Sequence, residues 1–565
     1  MKRISKIVLS LFLVSLCSSI LYGSSTTPCN GDYPRSIFVP RQLSYNPILE
    51  NALMLDAKVT ASWDYIFSVK PIYTQSVGPK FQKYFTLDHK CTLSVAEDGS
   101  GDISSLWFSV ISSDNTFYSS QLSFHPKRKT YGGLFYLAAQ LPYDLQLAIT
   151  TALVTARNDM HLCEKGIDTL GTCSGYATIR QSFANCERLF GRICGSKSKT
   201  GLDDIQVKLI YSGFKTEDSY WDIYGLLGIP TGKGSKARYL FEPLVGSKHV
   251  QLGLGATARW DIVKYDSFAW SLLCEAKYRY AFKAHERRSF DLTKNGQWSR
   301  YMLLVNASDP YSFFPAINDL TFKVDVKPRN SFDFYLATHF NHDAWNFEFG
   351  YDFWYRCAEK ISLECECNNL PNVGIADLRG IAAQNPQSAS TANISQGVQP
   401  GINQMTSDAS FVPVTLSDIN RKSGAQASSS SNSFYGSVGY KFDGKYHTVQ
   451  TGLSASYEHG LLHKTSDNIS VWFNVDVYFS NARKKQPVND TEVSAYLVKK
   501  YNDHETLENE ADENFDDEFN QFGEAETENF DSEREILKNE TATENFEAET
   551  ENFDDEFDQF DNAGL

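Results

Sequence analysis

Residues 250–262 read Val-Gln-Leu-Gly-Leu-Gly-Ala-Thr-Ala-Arg-Trp-Asp-Ile. Side chains alternate sides along a strand, so Val250, Leu252, Leu254, Ala256, Ala258, Trp260 and Ile262 share one face. Gln251, Gly253, Gly255, Thr257, Arg259 and Asp261 share the other. Thirteen residues is long for a soluble strand, which typically has about five or six. A membrane-crossing strand needs about 9–11, apolar toward lipid and polar toward a lumen.

The pattern recurs along the chain. Val59, Ala61, Trp63, Tyr65, Phe67 and Val69 oppose Thr60, Ser62, Asp64 and Ser68; Ile205–Tyr211 repeats it around Lys208. Phe268–Tyr280 sets aromatic and aliphatic side chains against Glu275, Lys277 and Arg279. Leu320–Val326 does so against Lys323 and Asp325, and Trp345–Tyr355 against Glu348, Asp352 and Arg356. Val449–Tyr457 opposes Ser454 and Glu458, and Val471–Phe479 alternates to its end. Weaker segments near 81–96, 105–125, 133–157 and 219–228 bring the total to 14–18 strands. Because barrels of this kind hold an even number, sixteen is the single estimate. The fold class is therefore all-β: a transmembrane antiparallel β-barrel of about 16 strands. Short connections, such as Asp443-Gly444 and 264–266, alternate with long ones at 158–203, 229–248, 285–316 and 357–433. One conflict remains. Strand direction counted back from the C-terminus sends Trp345–Tyr355 outward; counted forward from 205 it runs inward. A strand at Ile361–Cys367, or one long bulged strand across Pro328, would repair it.

Composition agrees with a barrel. Aromatic residues make up 14% of the 565 residues, as two interfacial girdles would require. After the N-terminus no apolar run approaches the length of a membrane-spanning helix. Residues 1–23 read as a cleaved signal peptide, with Lys2, Arg3 and Lys6 before a short apolar core. Residues 24–53 form a periplasmic N-terminal segment, 54–480 the barrel, and 481–565 a tail. The net charge of −16 belongs to that tail: residues 501–565 carry 25 acids against Arg534 and Lys538. The body, residues 24–500, is left at +4. No basic patch interleaved with aromatics points to nucleic acid.

The tail repeats itself. Glu513–Phe522 recurs as Glu551–Phe560, with Phe515, Phe519 and Phe522 matched by Phe553, Phe557 and Phe560. A self-repelling acidic segment of this kind is expected to be disordered. Its phenylalanine stripe could fold against a basic periplasmic partner, which the sequence does not identify.

Ten cysteines remain after signal cleavage. Cys163, Cys173, Cys186 and Cys194 fall in one long loop, and Cys357, Cys365 and Cys367 in another. In an oxidising envelope these seven are disulfide candidates; their spacing fits no zinc pattern. Cys274 falls on the lipid face as a free thiol. Motifs of covalent chemistry fail on inspection. Gly228–Gly234 has Leu227 where a phosphate loop needs glycine, and Gly460 stands where a metalloprotease pair at His459 and His463 needs glutamate. No catalytic residue, metal or cofactor is expected, and the chain does not read as an enzyme.

Tyr239–Gly246, His249–Gly255, Leu320–Pro328 and Phe349–Arg356 resemble elements of the major outer membrane porins of chlamydia-related bacteria and of Legionella, over roughly 35–480. The resemblance implies a cell outer membrane location and a homo-oligomer, with a trimer as one form. It also implies contact with outer-membrane lipid and disulfide links to other envelope proteins. The chain departs from barrels that end on an aromatic residue, because 86 residues follow Phe479. The expected function is a porin: a water-filled channel for passive diffusion of small hydrophilic solutes or ions. Its wall would carry Lys208, Arg259, Asp261, Glu275, Lys277, Arg279, Lys323, Asp325, Glu348, Asp352, Arg356 and Glu458, a mixed charge that screens solutes by size and sign. The alternative is a structural or adhesive protein of a disulfide-cross-linked envelope.

Overall fold

The computed structural model describes residues 33–480 apart from 55–57, 59–62, 113–116, 169–173, 217, 266, 364–369, 380–387, 399–402, 445 and 462–463. The acidic tail and the signal segment lie outside the described residues. Twelve strands form one closed antiparallel barrel: β1 (Tyr65–Val77), β2 (Lys127–Gln140), β3 (Leu145–Asp159), β4 (Ile205–Lys215), β5 (Ser219–Ile229), β6 (Gln251–Lys264), β7 (Phe268–Ala281), β8 (Arg329–His342), β9 (Trp345–Arg356), β10 (Ser429–Asp443), β11 (His447–Gly460) and β12 (Asp467–Phe479). Every strand pairs with its sequence neighbour, and β12 closes on β1 with Val69 opposite Val475. A closed ladder leaves no unpaired edge, which is what a hydrocarbon environment demands of a sheet.

The stretch 250–262 is β6, and its two faces fall as the alternation requires. Leu252 and Leu254 are exposed on the outside, while Gln251, Thr257 and Arg259 are buried within. A bulge at Asp261/Val263 shifts the register at its end. The outer wall is an apolar band. At the end with short turns it carries Tyr65, Trp221, Trp270, Trp345, Phe442 and Phe479, exposed to the surroundings. Several of these rings meet across strands, Trp221 with Trp260 at 5.1 Å and Trp345 with Tyr440 at 5.1 Å. This is the girdle of a membrane-spanning barrel.

Twelve strands replace the estimate of sixteen, for two reasons. Leu320–Val326, with Lys323 and Asp325, is not barrel wall. Thr321–Lys327 pairs with Ala284–Ser289 and Lys360–Ser362 in a separate sheet. The segments near 81–96 and 105–125 also lie outside the barrel. The direction conflict is resolved by β8, directly after Pro328, whose Asp333, Tyr335 and His339 face inward between lipid-facing Phe332, Phe334 and Phe340. Alternation alone cannot separate a strand buried on one face of a soluble sheet from a membrane wall, because both have period two.

The connections at the other end, after β1, β3, β5, β7 and β9, are long and fold together into a cap. Among the described residues five small sheets surround one apolar core that includes Trp107, Phe108, Phe183, Trp298, Tyr301 and Leu304. The cysteine expectation changes here. Cys163, Cys186, Cys194 and Cys357 are unbridged thiols, as are Cys91 and Cys274. Cys173, Cys365 and Cys367 lie outside the described residues.

Candidate functional site in the barrel lumen

The barrel interior is occupied by the chain's own N-terminal segment. Residues 24–53, expected as a periplasmic segment, are described from residue 33, and that part lies in the cap and the lumen. Residues 33–40 sit in the cap: Arg35 donates its backbone N–H to Tyr84 O at 3.1 Å, and the Phe38 ring lies 4.5 Å from Phe81. From Arg41 to Met54 the chain runs down the lumen. It reaches the short-turn end at Asp64, whose N–H bonds Phe479 O at 2.6 Å.

Local sequence shapes this plug. Asn46-Pro47 is a helix start: proline fits the first turn because its missing N–H is not needed there. The Asn46 side chain accepts the N–H of Ile48 at 3.0 Å, capping α1 (Pro47–Asn51). Ile48, Leu49 and Ala52 pack on Ile72, Leu134, Leu273 and Trp472 of the wall. Met54 packs on Trp63, Ile66 and Tyr478. Burying Ile48, Leu49, Leu53 and Met54 contributes roughly 1.5–3 kcal/mol each. The wall leaves room for them through glycines. A Cβ on Gly452 would stand 2.4 Å from the Leu53 Cδ1, and one on Gly228 would stand 2.1 Å from the Tyr45 hydroxyl. Gly228, set aside in the sequence as the start of a failed phosphate loop, is a socket for the plug.

Polar contacts hold the plug more tightly in register than the apolar ones. Arg41 Nη1 and Nη2 donate to Asp352 at 2.5 and 3.2 Å, and Nη2 to Asp333 at 2.6 Å. Asp333 also accepts from Arg279 at 2.9 Å. Glu50 meets Lys208 at 2.6 Å, and Lys208 reaches Glu275 at 3.3 Å. Glu275 also accepts from Asn51 and from Tyr224. Lys277 donates to Tyr45 O at 2.9 Å. The Leu53 N–H donates to Glu348 at 3.1 Å, and Gln450 donates to Leu53 O at 3.0 Å. The Asp203 carboxylate accepts the Ser44 N–H at 2.9 Å.

Of the residues expected on the channel wall, Lys208, Arg259, Glu275, Lys277, Arg279, Glu348 and Asp352 are buried inside. Asp261, Arg356 and Glu458 lie on the same inward face. Arg259 and Asp261 pair with each other at 2.8 Å, and Glu458 accepts from Ser431 at 2.6 Å and Asn468 at 2.7 Å. Lys323 and Asp325 belong to the cap, where Asp325 meets Lys283 at 3.0 Å and His285 at 2.7 Å. Sequence reasoning missed Arg41, Glu50, Asn51, Asp333, Tyr335 and His339. The Asn46-Pro47 signal was present, but a five-residue helix offers too little periodicity to announce a lumen partner.

No family model and no curated protein matches the chain. Among solved structures it is similar to an outer membrane channel from Pseudomonas putida F1: 11% identity, TM-score 0.33, 75% of this chain and 97% of that chain covered. It is similar to the β domain of the Bordetella autotransporter BrkA at 10% identity and TM-score 0.28, covering 74% and 100%. The NanC porin matches at 8% identity and TM-score 0.24, covering 74% and 100%. None of the three lends this chain a function.

Proposed function

We propose that the protein is an outer-membrane channel for small hydrophilic solutes or ions, closed in this structure by residues 41–54. The observation that supports it most is the chemistry of the plug's seat. A permanent core would gain by being apolar, because buried ion pairs seldom outweigh well-packed hydrophobic residues. Here the contacts are Arg41 with Asp333 and Asp352, and Glu50 with Lys208. Those same groups are stable in water once the plug leaves, so the ionic wall suits a lumen that alternates between filled and flooded. No catalysis is assigned to it. Planar-bilayer recording of the full chain and of Arg41→Ala tests the reading: rare stepwise openings are expected from the first and frequent ones from the second. Folded barrels of both that never conduct would refute it.

A second reading is a structural or adhesive envelope protein. It is favoured by the exposed thiols of Cys91 and Cys186. In that reading the protein would form homo-oligomers or link to other envelope proteins through those thiols. Non-reducing electrophoresis of intact envelopes, with Cys186→Ser as the comparison, separates the two.

A further inference from the structure

Where the plug enters the barrel, a cavity of about 80 Å³ lies under the cap. A single water needs on the order of 10–15 Å³ on such a measure, so the space holds a group of several heavy atoms. Arg41 of the plug and Arg279 and Arg356 of the wall border it, with Lys248 and Trp354. The carboxylates on its border are already engaged. Glu286 meets His249 at 2.8 Å and Arg288. Glu359 accepts from Arg288 at 3.2 Å and from the Gln426 N–H at 2.9 Å.

The arginines are not equally served. Arg41 and Arg279 hold Asp333 and Asp352 through their terminal nitrogens, yet among the described residues the buried Nε of each has no hydrogen-bond partner. Arg356 is poorer still. Among the described residues its Nε and Nη2 are both buried without a hydrogen-bond partner and it makes no ion pair; the ring of Trp354 lies 5.9 Å from its guanidinium. Three guanidinium cations therefore line one cavity, and Arg356 brings to it a charge that no carboxylate among the described residues pairs. A guanidinium presents its donors as a fork that fits the paired oxygens of a carboxylate or phosphate.

We infer that this cavity binds a small oxyanion, a carboxylate or phosphate group of a soluble solute, held between Arg356 of the wall and Arg41 of the plug. The source is a solute because Gln251, Arg279 and Trp354, which line the cavity, are buried on the inward face, where no lipid headgroup reaches. Since one contact is on the plug and the other on the wall, the anion would latch the closed state. This role rests on the channel reading, whereas the binding does not.

Calorimetry on the full chain in neutral detergent, with inorganic phosphate and with acetate at constant ionic strength, tests the binding. Wild type should bind at least one of them, and Arg356→Gln should weaken that binding at least tenfold. Arg356→Lys, which keeps the charge without the fork, should fall between the two and serves if the glutamine variant does not fold. No heat with either anion, or equal affinity in wild type and the folded variant, overturns the site. In bilayers the bound anion should lower the opening frequency of wild type and leave Arg356→Gln unchanged. Binding without that effect would remove the latch and leave the site standing, while absence of all conductance would count against the channel reading alone.

Discussion

Replacing Arg41 by alanine strips both plug contacts from Asp352, whose side chain is 0% exposed and which meets no other cation among the described residues. Asp333 is better protected, because Arg279 stays 2.9 Å away. Removing one partner of a buried pair costs about 3–5 kcal/mol. With Asp333 still paired, the lower end applies, about 3 kcal/mol. When the plug leaves, water floods the lumen and Asp352 is hydrated in either variant. The cost therefore falls on the closed state, and at about 1.4 kcal/mol per decade the open fraction should rise roughly 100-fold or more. Ser44, fully buried in the plug, gives a direct assay. Ser44→Cys, in a background with the chain's own cysteines changed to serine, should react with a soluble maleimide only when the plug is out. Arg41→Ala should raise that rate by the same factor. Adding Asp352→Asn removes the stranded charge and should return the rate most of the way. A rise of less than threefold, or a double variant no slower than the single, would refute the assignment of Arg41 as the plug's anchor.

Three further outcomes follow from the same geometry. Gly452→Ala should eject Leu53 from its socket and raise maleimide labelling at residue 44, at a cost of about 1–3 kcal/mol for overpacking; Leu53→Ala in the same chain should restore the fit. In the cap, Trp298→Ala should cost about 3–5 kcal/mol, read as faster proteolysis of the loops while the barrel keeps its resistance to unfolding in detergent. Burial alone would raise the Glu286 carboxyl, but Arg288 and His249 overcome it and hold it down at about 2 from an ordinary 4.5. Its contribution is therefore complete above pH 4.5 and lost as pH falls toward 2. Cap proteolysis should accelerate across that window in wild type, and Glu286→Gln should flatten the dependence.

Much of the wall was legible because strand period and membrane polarity act on the same residues. In β7 the alternation assigns Glu275, Lys277 and Arg279 inward and Trp270, Leu272 and Tyr278 outward, and each lies there. Thr321–Lys327 was misread for a physical reason: the cap buries Phe322, Val324 and Val326 against its own core, which produces the same alternation as lipid. The plug was illegible from its own letters. Arg41, Glu50 and Asn51 are ordinary surface residue types, and nothing local tells that their partners stand 311, 158 and 224 residues away. The polar wall residues did carry a hint, since such groups require either water or a polar partner; the sequence reading supplied water, and the structure supplies the plug.

That substitution changes what the charges on the wall do. In an open pore Lys208 and Glu275 would act on passing solutes through a transverse field. In the closed barrel they are joined to Glu50 and Asn51, and the field is spent on the plug. The same residues can serve both states only if the plug's own charges mirror the solute's. Arg41 lies against Asp333 and Asp352, and Glu50 lies against Lys208, so the upper lumen offers an acidic site and the middle a site of mixed sign. An open channel should therefore hold cations at the level of Asp333 and Asp352. Neutralising both, as Asp333→Asn and Asp352→Asn, should shift the reversal potential under a salt gradient toward anion preference. A reversal potential unmoved by the double change would mean that solutes do not pass the seat of Arg41, and that the plug does not leave by clearing the lumen.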